Sequence, residues 1–147
     1  MQVADITMHA RITAFLANVV QETDHLRTLE EYGDERYFRS FLGDQWRYHG
    51  RGFLMNAWRE TYERLSDVLE VDLVSNPDLL TRPELAAKAA TWFWSQHNLN
   101  SYADRGEFNK ACAIISTGSE RGEPSGMATR QYFYDRAKCI LSKDNQQ

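Results

Sequence analysis

Three carboxylates frame the stretch QETDHLRTLEEY, residues 21–32: Glu22 near its start, then the pair Glu30 and Glu31. Two acids facing each other across a cleft can cleave a glycosidic bond. One protonates the leaving oxygen while the other activates a water or stabilises the cationic sugar. Whether these acids meet depends on the backbone. At 100° per residue from Ile12, Glu22 projects to about 280°, beside Phe15 at about 300° on the flank of an apolar stripe. A carboxylate at such an edge is partly desolvated, the condition under which an acid keeps its proton nearer neutral pH. In one continuous helix Glu31 would lie about 180° round from Glu22 and about 13.5 Å along the axis, too far to share a bond. The stripe leaves its track after Leu26, with Leu29 at about 260° and Tyr32 at about 200°. The helix is therefore expected to stop there, and a chain that turns back brings Glu30 or Glu31 opposite Glu22. The competing reading is plainer: solvated acids at a helix end and in a turn, the commoner fate of Glu.

The elements that must position these acids are mostly helical. Ile12, Phe15, Leu16, Val19, Val20 and Leu26 recur at three- and four-residue steps and predict a helix over 5–26. From 27 to 53 the pattern dissolves among Gly33, Gly43, Gly50 and Gly52, which predicts loops with a small hairpin. Helical periodicity returns over about 58–71, SNPDLL reads as a turn, and TRPELAAKAATWFW predicts a helix over 82–97. Thr81 as N-cap, Pro83 in the first turn and Glu84 would form its capping box. The Ala-rich half of that helix lets neighbours approach, and Trp92, Phe93 and Trp94 read as packing. FNKACAII predicts a short helix, STGSERGEPSG a loop, and 127–141 a final helix with SKDNQQ fraying after it.

The bulk numbers bound the rest. At 147 residues one domain, 1–147, is expected. A net charge of -4 offers no broad attraction to a polyanion, so nucleic acid is not an expected partner. The longest apolar run, AFLANVV, is far short of a membrane span, so no membrane insertion is expected and no signal peptide is visible. Cys112 and Cys139 lie in the apolar contexts KACAII and AKCIL and read as reduced core residues. His9, His49 and His97 show no ligand spacing, so neither a metal nor a cofactor is expected. His25, three residues past Glu22, reads either as a group that touches substrate or tunes that acid or as a lone partly exposed His.

Four blocks carry a resemblance. RITAFLANVVQETDHLRTLEE resembles the first helix and following turn of family 19 glycoside hydrolases, whose R-x-A-x-F-L-A-Q-x-x-H-E-[ST] stretch holds the proton-donating Glu. YHGRGFLMNAWRETY, residues 48–62, resembles Y-x-G-R-G-x-I-Q-L-T-x-R-x-N-Y at Tyr48, Gly50, Arg51, Gly52, Arg59 and Tyr62. DLVSNPDLLTRPELAAKAATWFW, with LNSYADRGEF just after it, is similar to a third block, and Tyr132 to Ala137 resembles the closing helix. The set, in order, is closer to the chitinase-like lysozyme domains of bacteriophage endolysins than to the longer plant chitinases.

The resemblance implies a mostly α-helical, α+β lysozyme-like fold, with a small irregular or β lobe and a substrate cleft. It places the general acid at Glu22 and the second carboxylate at Glu31. Glu30, Tyr48, Arg51, Asn56 and Ser116 are the candidate substrate-binding residues. Arg51 reads either as a brace for the second carboxylate or as an internal tie for its loop, and Trp46, Tyr48 and Trp58 either as sugar-stacking or as core. The implied activity is hydrolysis of β-1,4 bonds in peptidoglycan, by a monomer held in the host cytoplasm before release and acting on glycan strands of the wall. Chitin hydrolysis, or a glycan-binding module without turnover, are the alternatives. Two departures favour the last: Met55 and Ala57 stand where the family has Gln and a hydroxyl residue that places water. Ser116 stands in I-S-T-G where the family has I-N-G-G.

Overall fold

The structure is a computed structural model that describes residues 4–144. Helix α1 covers His9–Glu22 and ends earlier than its periodicity predicts. Asp24, His25 and Leu26 have φ of 46°, 61° and 64°, a left-handed run that no right-handed helix of L-residues can cross. Thr23, fully buried, holds this run. Its carbonyl accepts from Arg27 and Thr28 N–H, and its hydroxyl accepts from Leu26 N–H at 2.9 Å.

The residues group into two units, one from Glu22 to Phe93 and one from the residues before Glu22 together with Trp94 onward. The first unit contains a helix where loops are expected: α2, Glu35–Leu42. The segment ERYFRSFL is eight residues long, too short for a periodicity count, yet Phe38 and Leu42 one turn apart are buried. Asp34 caps it by accepting from Tyr37 N–H at 2.8 Å, and Gly43 at φ 56° ends it. A 3-10 turn, Gly43–Tyr48, follows. Two isolated antiparallel bridges, Glu30 with Arg51 and Arg51 with Asn56, are what stands where a β lobe is expected, and no strand occurs among the described residues. The cause is local: most of the residues between Glu30 and Arg51 are taken up by α2 and the 3-10 turn, and α2 buries Phe38 and Leu42 at helical spacing.

Helix α3, Arg59–Leu69, ends at Glu70 in the left-handed region. A 3-10 turn over Pro77–Thr81 leads into α4, Pro83–Gln96. Thr81 does not cap α4, since its hydroxyl donates to the Asp78 carbonyl at 2.7 Å. The core of this unit is Tyr48, Tyr62, Leu65, Leu73, Leu80 and Ala89. Ala86 and Ala89 are fully buried, and Gly52 lies against α4 at φ 84°, a left-handed conformation that L side chains rarely adopt.

Tyr62 closes this core. Its hydroxyl donates to the His49 carbonyl at 2.9 Å and accepts from Arg51 Nη1 at 3.1 Å. Burial pushes the phenol up to about 12 from its ordinary 10.0. A raised folded value means stability that is full below pH 10 and is lost as pH rises through 10 towards 12. Thermal midpoints measured across that range should fall for the wild type, and Tyr62→Phe should flatten the fall while lowering stability at neutral pH by about 1–2 kcal/mol.

The second unit contains α1 to Gln21, α5 (Leu99–Asp104), α6 (Phe108–Thr117) and α7 (Met127–Asp144). Trp94 is fully buried, edge-on to Phe15 at 5.3 Å, and its Nε1–H donates to Asn100 Oδ1 at 2.7 Å. Phe108 stacks on Tyr134 at 4.0 Å. Arg130, fully buried, donates to Asn18 Oδ1 and to the Ser125 carbonyl. Cys112 is buried as expected, but Cys139 is exposed. Ile140 beside it is also exposed, so the apolar context of Cys139 faces outward on α7. None of the described helices is long and apolar enough to cross a membrane.

Candidate active site

The left-handed run after α1 reverses the chain. Eight residues on from Asp24, the Tyr32 hydroxyl donates to Asp24 Oδ2 at 3.0 Å. Hydrogen bonds from His25 and then Tyr32 hold the Asp24 carboxyl below the usual carboxylate range. The reversed segment pairs with the Gly-Arg-Gly loop: Glu31 N–H donates to the Gly50 carbonyl at 2.9 Å and Gly52 N–H to the Leu29 carbonyl at 2.8 Å. Arg51 and Asn56 exchange backbone bonds of 3.0 and 2.8 Å, so the loop folds back on itself. The turn-back expected from the fading apolar stripe is thus present, and the Glu22–Phe93 unit contains both Glu22 and Glu31.

Glu22 is the last residue of α1 and is half-buried. Glu31 is half-buried too, and its Oε2 accepts from Gly50 N–H at 3.1 Å. Glu30 points to another set of partners, His49 Nε2 at 2.7 Å and Arg51 Nε at 3.2 Å from its Oε1. A cavity of about 380 Å³ takes in Glu30, Glu31, Tyr32, Phe38, Trp46 and His49, aromatic walls around carboxylates of the sort that suits a sugar ring.

The remaining candidates divide. Tyr48 is 8% exposed, packs in the core and donates its hydroxyl to the Val74 carbonyl at 3.2 Å, which takes it out of the substrate-binding set. Arg51 is also committed inward. It is 3% exposed and reaches the Arg47 carbonyl, the Tyr62 hydroxyl and Asp78 Oδ1, so it ties the loop down. Asn56 is buried and its amide makes no protein hydrogen bond. Ser116 is on α6 in the other unit, where its hydroxyl accepts from Ser125 N–H at 3.0 Å and closes the loop between α6 and α7. Trp46 lines the cavity with the Arg39 guanidinium 5.0 Å over its ring, whereas Trp58 is half exposed at the start of α3, outside the core its helical pattern predicts. His49 and Phe38 are the cleft residues that spacing did not single out. The aromatic pair at Tyr37 and Phe38 and the polar His between Tyr48 and Gly50 were the available signals.

Gly50 is where the loop touches the second carboxylate. A Cβ there would stand 3.1 Å from Glu31 Oε2, 3.1 Å from Met55 Cβ and 3.3 Å from the Met55 carbonyl. Gly50→Ala should therefore displace the Glu31 side chain. Turnover should fall by about tenfold or more, with a thermal midpoint within a few degrees of wild type.

The family model described as chitinase class I, of glycoside hydrolase family 19, matches residues 34–105. A solved bacterial family 19 chitinase has the same fold at a TM-score of 0.71 and 25% identity, over 90% of this chain and 74% of that one. Over residues 34–105, about half of its length, the chain is similar to glycoside hydrolase family 19. Chitinase C from Streptomyces griseus shares the fold at a TM-score of 0.69 and 24% identity, over 91% of this chain and 60% of its own. Endochitinase A2 of Pisum sativum is 33% identical over 60% of this chain and 34% of its own length. The chain spans about a third of the length of such plant relatives. The match begins at Asp34, past all three acids of the opening stretch.

Proposed function

We propose that this chain hydrolyses β-1,4 links of chitin-type polymers of N-acetylated sugars. Glu22 protonates the glycosidic oxygen, and Glu31 assists a water or the developing oxocarbenium ion. The observation that carries the reading is the seat of Glu31: half-buried, held by the Gly50 N–H, in a cavity walled by Tyr32 and Trp46 and lying against the loop of the matched segment. Similarity to enzymes named chitinases supports the substrate class.

The second reading is cleavage of peptidoglycan strands, which carry the same β-1,4 geometry, by a phage-type endolysin. Its support is the likeness of the four ordered blocks, taken together, to the chitinase-like lysozyme domains of endolysins. In that reading the protein works as a monomer at the wall after release from the host cytoplasm, binding neither nucleic acid nor membrane. A third reading, glycan binding without turnover, draws on Met55 and on Ala57, whose side chain cannot place a water.

Incubating the protein with chitin hexamer and with purified peptidoglycan, and analysing the soluble products, separates the three. Shorter chitin oligomers support the first reading. Release from the wall alone moves the function to the second, and binding to either polymer without products moves it to the third.

A further inference from the structure

Every other acid lining the 380 Å³ cavity is engaged by a side chain or caps a helix, whereas Glu31 is engaged by a backbone N–H alone. Asp34 caps α2 through Tyr37 N–H, and Glu35 pairs with Arg39 at 2.6 Å. Glu30 is taken by His49 and Arg51. The Glu31 side chain accepts only from the backbone of Gly50. What decides between the two neighbouring acids is the state of His49.

His49 is 6% exposed and lies face to face on Phe38, 3.9 Å between centroids and 1° between planes. Both ring nitrogens face acceptors: Nδ1 is 3.0 Å from the Trp46 carbonyl oxygen and Nε2 is 2.7 Å from Glu30 Oε1. A carbonyl oxygen can only accept, so Nδ1 carries a hydrogen. A second hydrogen must lie between Nε2 and Oε1. The Arg51 Nε, 3.2 Å from the same oxygen, makes an ion pair with it without a hydrogen bond, and that positive charge favours leaving the hydrogen on the imidazole. The Phe38 face beneath the ring also favours a cation.

We propose that His49 is a positioning residue whose doubly protonated ring takes up the charge of Glu30, so that Glu31 is the acid left to act in the cleft. This rests on the reading of the cleft as a glycosidase site. Arg51 alone does not suffice, because Asp78 shares its charge at 2.9 Å. Freed from His49, the Glu30 carboxyl would lose its 2.7 Å partner and be able to turn towards the cavity that Glu31 also lines.

The test has two arms. In ¹⁵N-edited NMR at pH 7, wild type should show two hydrogen-bonded ring N–H protons on His49, and Glu30→Gln should show one. A single ring N–H in the wild type overturns the proposal, and this arm decides it should His49→Phe not fold. In kinetics, His49→Phe should lower kcat/KM by about tenfold. The double variant His49→Phe with Glu30→Gln should recover most of that loss, because a neutral Gln needs no cation. A His49 that merely packs predicts no recovery, and that result overturns the proposal. Two ring protons with no hydrolysis of either polymer would keep the charge arrangement and remove the hydrolase reading.

Discussion

Glu22→Gln should lower the rate of reducing-end release by about 10²–10⁴-fold, the usual contribution of a positioned proton donor. Gln fills the same volume at the end of α1 and donates hydrogen bonds but cannot give up a proton to the leaving oxygen. KM should therefore change far less than kcat, since the lost interaction belongs to the transition state. Glu31→Gln should cost a similar factor, while Glu30→Gln should stay within a few fold of wild type. That contrast separates a catalytic carboxylate from its neighbour one position away. Equal rates for wild type and Glu22→Gln would take Glu22 out of the reaction. A thermal midpoint within a few degrees in all three variants makes the rates comparable.

Arg51→Met carries the second large effect, on stability. The guanidinium is 3% exposed and ties the loop to the Arg47 carbonyl, to the Tyr62 hydroxyl and to Asp78. Asp78 is largely exposed and Glu30 about half so, and both regain water once Arg51 is gone. The Tyr62 hydroxyl and the Arg47 carbonyl are left short of a donor. Unfolding in urea should show a loss of about 2–4 kcal/mol for Arg51→Met, chiefly from those groups and from the lost packing. The surface pair Arg64–Glu60, joined at 2.6 Å across one helical turn, is the comparison. Arg64→Met should stay within about 0.5 kcal/mol of wild type. Similar losses in the two variants would contradict the buried role of Arg51.

The sequence by itself determined the elements whose signals are local. The periodic stripe placed α1 to within a few residues at each end, Pro83 marked the start of α4, and the Ala-rich run of α4 announced a surface that neighbours approach closely. It also set the resembling blocks in order along the chain, two of which overlap the matched segment 34–105. The tertiary structure alone decided the rest. Helix α2 was hidden because eight residues hold too few apolar positions to show a period, and its cap at Asp34 looks like one more acid in an acidic turn. Cys139 and Trp58 face outward because an apolar neighbour in sequence says nothing of which face a helix buries. Tyr48 and Arg51 left the substrate set because their hydrogen-bond partners, Val74, Tyr62 and Asp78, are 11 to 27 residues away along the chain. The choice between Glu30 and Glu31 was illegible for the same reason. Adjacent acids are chemically identical in sequence, and only His49 and Gly50, each 19 residues away, give one an imidazole partner and the other a backbone N–H.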